Sequence, residues 1–227
     1  MKPFLDTADL KEIDRWLKTG LLDGITTNPT ILKNAGVTEP MTAWKQIVEL
    51  IRKYTPIPIS LSVEVFSDSP DEMLKQAKSF VNELDYEGTT IKIPILGTDG
   101  TDRLAVIREL AQQEIAVNCT ACITWFQAFA AAKAGAKYVS LLYRRIMDTG
   151  LDGSAEIRKT RELIDQYRLP SEIIVGSIRK KNDVLRAYEA GAHIVTIPTK
   201  FLPELLMNKM SVKTQKQFLK DAGVLKE

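Results

Sequence analysis

The segment Thr89-Thr-Ile-Lys-Ile-Pro94 sets one lysine, Lys92, between isoleucines in a short run with the character of a buried β-strand. An unpaired ammonium group there is strongly penalised. Burial and nearby cations such as Arg145 or Arg179 favour the neutral amine, which attacks carbonyl carbon, whereas Asp6 and Glu64 pull the other way. Lys92 fits equally a structural role as half of a buried lysine–carboxylate pair. Its companions bear on that choice: Asp6, Asn28, Glu64, Asn118, Thr120, Ser140, Arg145, Ser177 and Arg179 all fall in or just after strand-like runs. The set combines carboxylates that can move protons, neutral amides that can hold hydroxyls, and guanidinium groups that can grip an oxyanion.

Other chemistries are poorly served. His193 is the sole histidine, which removes His-rich metal sites and nucleophiles paired with histidine elsewhere in the chain. Cys119 and Cys122 have C-x-x-C spacing, but no second pair completes a zinc site, and the apolar segment around them indicates core packing. The 31 basic and 29 acidic residues are spread along the chain, against a nucleic-acid partner. No stretch approaches the roughly 18 apolar residues of a membrane span, and the opening residues lack a signal-peptide run. A cytoplasmic protein acting on small molecules is the expectation.

The elements that position these residues follow from periodicity. At 227 residues and 44% apolar content, one barrel-sized domain accounts for the chain. Strand-like runs cover Pro3 to Asp6, Gly24 to Thr27, Ile59 to Val65, Thr89 to Ile93, Ala116 to Thr120, Tyr138 to Leu142, Ile173 to Ser177 and His193 to Ile197. Amphipathic helical patterns alternate with them: Asp9 to Thr19, Met41 to Tyr54, Pro70 to Leu84, Thr101 to Gln112, Trp125 to Ala134, Gly153 to Tyr167 and Lys181 to Ala190. Most strand runs read as apolar on both faces, as in parallel strands buried under helices. Gly135 and Gly191 each end an alanine-rich helix. The pattern predicts an α/β fold, a single-domain (β/α)8 TIM barrel over residues 1–227 with its site at the C-terminal strand ends. Lys200 to Leu206 reads as the eighth helix, and Ser211 to Asp221 as a further C-terminal helix outside the barrel, opened by a Ser211 N-cap.

Six segments make the resemblance specific. Leu5-Asp-Thr-Ala8, Gly24-Ile-Thr-Thr-Asn-Pro-Thr30, Val63-Glu-Val65, Ile91-Lys-Ile-Pro94, Asn118-Cys-Thr120 and Ser177-Ile-Arg179 resemble the motifs of the transaldolase family, in family order across almost the whole chain. The length is similar to the branch of small-subunit transaldolases and fructose-6-phosphate aldolases. The resemblance implies class I chemistry with no metal and no other cofactor, in which Lys92 forms a Schiff base with C2 of a ketose. It further implies Asp6 as base on the C4 hydroxyl, Glu64 with Thr120 relaying protons through a water, and Asn28 and Asn118 on the dihydroxyacetone hydroxyls. Arg145 and Arg179, with Ser140 and Ser177, are implied to hold the anionic end of the sugar. For Asn28, capping a turn is the competing reading. A ring-like homo-oligomer, pentamer or decamer, with the C-terminal helix on a neighbouring subunit is also implied.

One segment departs from the family. Where transaldolases usually carry Ser-Pro-Phe-Val-Gly-Arg, this chain has Ser140-Leu-Leu-Tyr-Arg-Arg145. Leu142, Tyr143 and Arg144 are therefore candidate specificity residues on the anion side. The aldolase branch has tyrosine in place of Leu142 and glutamine in place of Glu64, which favours transfer over simple cleavage. The leading expectation is transfer of a dihydroxyacetone unit from a fructose 6-phosphate or sedoheptulose 7-phosphate type donor to glyceraldehyde 3-phosphate or erythrose 4-phosphate, as in the pentose phosphate pathway. Alternatives are the same chemistry on 6-deoxy-6-sulfofructose in sulfoglycolysis, an aldolase releasing free dihydroxyacetone, and a non-catalytic barrel that binds sugar phosphates.

Overall fold

A computed structural model of the chain describes residues 1–225. Eight parallel strands close into a barrel in sequence order. The chain runs β1 (Lys2–Asp6), α1 (Leu10–Leu17), β2 (Gly24–Thr26), α2 (Pro29–Asn34), α3 (Pro40–Tyr54) and β3 (Ser60–Glu64). It continues through α4 (Pro70–Leu84), β4 (Thr89–Pro94), α5 (Leu104–Gln112), β5 (Val117–Cys122), α6 (Trp125–Ala134) and β6 (Tyr138–Leu142). The last part holds α7 (Tyr143–Asp148), α8 (Gly153–Gln166), β7 (Glu172–Gly176), α9 (Lys181–Glu189), β8 (Ile194–Pro198), α10 (Phe201–Leu206) and α11 (Lys209–Asp221). The (β/α)8 barrel expected from the alternation is the fold observed.

Strand side chains alternate between two environments. Leu5, Ile25, Leu61, Val63, Ile91, Ile93, Val139, Val175 and Val195 point outward into the main core beneath the helices. The inward face differs from the sequence expectation of apolar residues on both faces. Phe4, Tyr138, Ile174 and Ile194 form a separate apolar plug inside the barrel, but Thr26, Ser60, Ser62, Thr90, Lys92, Asn118, Ser140 and Thr196 are buried polar residues at the other inward positions. Gly24 makes the plug possible, because a Cβ there would stand 2.5 Å from the Phe4 ring.

Two short helices lie outside the sequence reading. In α2, Pro29 occupies the first turn and Asn28 caps it by accepting the Ile31 N–H at 2.9 Å. α7 begins where β6 ends, so Tyr143, Arg144 and Arg145 follow a helical rather than an extended course. At the far end, Asn208 and not Ser211 is the N-cap of α11, its side chain accepting the N–H groups of Met210 and Ser211. Gly135 and Gly191 end their helices at φ 105° and 99°, a region that penalises any residue with a Cβ. Among the described residues no helix is long and apolar enough to cross a membrane.

Candidate active site

The polar residues of the inward face converge on a cavity of about 390 Å³ at the C-terminal ends of the strands. Asp6, Asn28, Glu64, Lys92, Asn118, Thr120, Ser140, Leu142, Arg145 and Ser177 all line it. A larger groove of about 830 Å³ lies where β3 and β4 begin, bounded by Arg52, Pro56, Asp85 and Tyr86. It gathers none of the candidate residues, and barrel chemistry sits at the opposite face.

Strand register builds the centre. Glu64, Lys92 and Asn118 are cross-strand neighbours on β3, β4 and β5. The Lys92 ammonium lies 2.9 Å from the Glu64 carboxylate and donates to the Thr27 carbonyl at 2.9 Å. Both side chains are largely buried, at 8% and 16% exposed. The Thr27 carbonyl is available because β2 ends at Thr26 and the chain turns into α2. Thr27 is itself fixed, donating through its hydroxyl to the Ser62 carbonyl at 3.0 Å and accepting from the Trp44 indole at 3.1 Å.

Asp6, at the end of β1, accepts from the Thr26 hydroxyl at 2.7 Å. Burial pushes its carboxyl above the ordinary aspartate range, and the Thr26 hydrogen bond and the Lys92 charge only partly oppose this. A carboxyl held this way is a stronger base once ionised, which suits it to take a hydroxyl proton.

Asn118 is held at both ends of its amide. Its Nδ2 donates to Ser62 Oγ at 3.3 Å, and its Oδ1 accepts from Ser140 Oγ at 2.6 Å. Ser140 thus orients Asn118 while it lines the cavity. Asn28 lines the cavity while its carbonyl caps α2, so its amide NH2 is the group left to offer a ligand. Thr120 stands opposite Pro94, just before a bulge in β5 where Ala121 takes φ 61°. That bulge keeps both Cys119 and Cys122 buried as free thiols, in hydrogen-bond contact with sulfurs 3.8 Å apart.

The anion side is rearranged relative to the sequence reading. Arg145 and Ser177 line the cavity, and Ser177 does so at φ 58°. Arg179 does not; it forms a two-pronged ion pair with Asp148 at the surface, one contact being 2.8 Å. Arg144 is likewise turned away, its Nε donating to Asp183 at 2.8 Å. Tyr143 is 1% exposed and buried against α8, where its ring would collide with a Cβ on Gly153 and its hydroxyl meets Ser154 at 3.2 Å. Tyr143 and Arg144 are thus not pocket residues, and of the three proposed specificity positions only Leu142 faces the cavity. His193 is also remote from it, accepting the Ile173 N–H at 2.9 Å where β7 begins. Burial lowers its pKa.

Thr26, Ser62 and Thr196 escaped the list of candidates. Thr26 and Ser62 share one signal, a hydroxyl residue at an inward position two residues before a candidate residue, in Thr26-Thr-Asn28 and Ser62-Val-Glu64, whereas Thr196, between Ile194 and Pro198, carries no such signal.

A closed parallel barrel thus brings a buried lysine paired to a carboxylate, neutral amides and an arginine into one cavity. The chain belongs to the transaldolase/fructose-6-phosphate aldolase family, whose model matches residues 3–226. A probable transaldolase of Thermoplasma volcanium is 38% identical over 222 residues, covering 97% of this chain and 95% of that one. A probable transaldolase 2 of Listeria monocytogenes is 36% identical with the same coverage, and a probable transaldolase of Chlorobium phaeobacteroides is 34% identical over the full length of both chains. Among solved structures, a thiamine phosphate pyrophosphorylase from Pyrococcus furiosus superposes with a TM-score of 0.59 at 15% identity, over 87% of this chain and 85% of that one. That likeness is one of fold alone.

Proposed function

We propose that this enzyme is a Schiff-base transaldolase that moves a dihydroxyacetone unit from a ketose with a terminal anionic group to an aldose acceptor. The observation that carries the reading is the Lys92 amine, 2.9 Å from the Glu64 carboxylate, within one cavity with Asp6 and Asn118. Lys92 attacks the C2 carbonyl, and Glu64, with a water held by Thr120, supplies and removes the protons that turn the carbinolamine into an imine. The iminium accepts the electron pair of the C3–C4 bond as Asp6 takes the C4 hydroxyl proton. An aldehyde leaves, and the enamine remaining on Lys92 adds to the acceptor by the reverse steps. Asn118 and Asn28 fix the hydroxyls of the three-carbon unit, while Arg145 and Ser177 face the terminal anion.

Borohydride reduction in the presence of fructose 6-phosphate, followed by peptide mass analysis, tests the reading. A reduced adduct on Lys92 is the expected result. Its absence overturns the proposal and leaves a sugar-binding barrel.

A sulfonate at the sugar terminus has one specific point in its favour. Arg145 is the only one of Arg144, Arg145 and Arg179 that lines the cavity, which suits a group carrying one charge rather than nearly two. The ratio of kcat/KM for fructose 6-phosphate and 6-deoxy-6-sulfofructose decides between them. Turnover without an acceptor aldose would identify an aldolase. Family resemblance also supports a homo-oligomer in which α11 packs on a neighbouring subunit.

A further inference from the structure

Arg144, Asp148, Arg179 and Asp183 take no part in the proposed reaction, yet they join the two segments that form the anion side of the cavity. One segment is α7, which carries Arg144, Arg145 and Asp148. The other is the turn from Ser177 to Lys180 together with the start of α9, which carries Asp183. Each segment gives one arginine and one aspartate to the other. Arg144 on α7 holds Asp183 with two nitrogens, its Nε at 2.8 Å from Oδ2 and its Nη2 on Oδ1. In the reverse sense, Arg179 holds both oxygens of Asp148 on α7.

The two pairs are not equal. Asp148 and Arg179 are about half exposed, 54% and 52%, whereas Asp183 is fully buried and the Arg144 side chain is 17% exposed. Asp183 also accepts the backbone N–H groups of Arg179 at 3.1 Å and Lys180 at 2.9 Å. Burial alone would raise its carboxyl pKa, but the Arg144 hydrogen bonds and these two N–H donors outweigh that and hold it below the usual range. One buried carboxylate thus clamps the turn after β7 to itself and to the residue next to Arg145. Ser177, within that turn, is held at φ 58°, a conformation that a residue with a Cβ adopts only when its surroundings impose it.

We propose that Arg144 and Asp183 are a positioning pair, braced by Arg179 and Asp148, that sets Arg145 and Ser177 at the spacing needed to hold the terminal anion of the donor. The inference rests on the anion-bearing donor proposed above. The pair touches no substrate. It governs affinity for the charged end of the sugar while leaving the imine chemistry at Lys92 intact, so it separates KM from kcat and charged from uncharged ligands.

The test compares R144M, R144K and R179A with the unaltered enzyme in three measurements: kcat and KM for fructose 6-phosphate, the same constants for fructose, and calorimetric affinity for inorganic phosphate. R144M is expected to raise KM for fructose 6-phosphate and Kd for phosphate about tenfold, with kcat for fructose changed less than about twofold. R144K keeps the charge but loses the fork, and should fall between R144M and the unaltered enzyme. R179A, which removes only the exposed pair, should have a smaller effect than either. Equal proportional losses on both sugars, or an unchanged phosphate Kd in folded R144M, overturn the proposal. If R144M does not fold, R144K decides. A weaker phosphate affinity at an unchanged melting temperature supports the pair, and an unchanged affinity overturns it. Phosphate titration needs no turnover, so it reads the pair even where neither sugar is a substrate, a result that would count against the proposed reaction alone.

Discussion

Glu64 and Lys92 face each other across β3 and β4 in register, carboxylate to ammonium at 2.9 Å, in the cavity that also holds Asp6 and Arg145. Such a pair can serve structure, catalysis or both, and a two-residue cycle separates the roles. Lys92→Met leaves a buried carboxylate without its partner and is expected to lower stability by about 3 kcal/mol. Adding Glu64→Leu removes the orphaned charge and should recover most of that loss. Activity should stay abolished in both variants, as should borohydride-trapped adduct. Denaturant unfolding gives the stabilities. Activity that returns with stability in the double variant would mean that Lys92 is only structural.

Asp6 carries the opposite balance, since burial raises its carboxyl pKa from the ordinary 3.8. The folded state therefore holds this proton more tightly than the unfolded chain between the ordinary value and the raised one. Stability from Asp6 is fully present below the ordinary value and declines as pH rises through the folded pKa. Asp6→Asn retains an oxygen for the Thr26 hydroxyl but has no charge to desolvate, so its melting temperature at neutral pH should exceed that of the unaltered enzyme. Its kcat should fall about 10² to 10⁴-fold. Melting curves across pH for both proteins check the sign: the gap should close in acid, and a gap that widens there would refute the assignment.

Much of this site is legible in the sequence, for physical reasons. Leu61, Val63, Ile91 and Ile93 show the strands because outward positions meet the helix layer and must be apolar. Lys92 is visible because a cation between isoleucines conflicts with that pattern. The inward hydroxyls were not, because Ser62 and Thr26 break no local rule and acquire meaning only when the barrel closes. The error at Tyr143 and Arg144 has a geometric cause. The chain becomes helical at Tyr143, where successive residues point about 100° apart, so three neighbours reach the core, Asp183 and the cavity in turn. Arg179 was misplaced because its partner Asp148 lies 31 residues away in the chain.

Ser62 supplies a test of those unforeseen hydroxyls. It is fully buried and receives the Asn118 amide at 3.3 Å, and its own carbonyl accepts from Thr27. Ser62→Ala leaves the Asn118 Nδ2 without a partner in the protein, at a stability cost of about 1 kcal/mol. Freed at one end, Asn118 should place the dihydroxyacetone hydroxyls less well, lowering kcat/KM about tenfold. Ser140→Ala, which frees the other end, should act in the same direction. Steady-state kinetics with one donor and one acceptor measure both, and a normal kcat/KM in Ser62→Ala would show that Asn118 needs no support from β3.

The last helix raises a different question, because α11 has no buried residue while Met210, Val212 and Phe218 stand 64%, 42% and 62% exposed. A helix with apolar side chains left in water is more consistent with burial against another chain than with a free end. In the proposed homo-oligomer, deletion of residues 207–227 should lower the molar mass measured by light scattering while the circular dichroism of the barrel persists. Subunit association stabilises by mass action, so the melting temperature of the full chain should rise with protein concentration and that of the truncated chain should not. A full chain that is monomeric at micromolar concentration, with a melting temperature independent of concentration, would refute the assembly and leave α11 without a partner of its own kind.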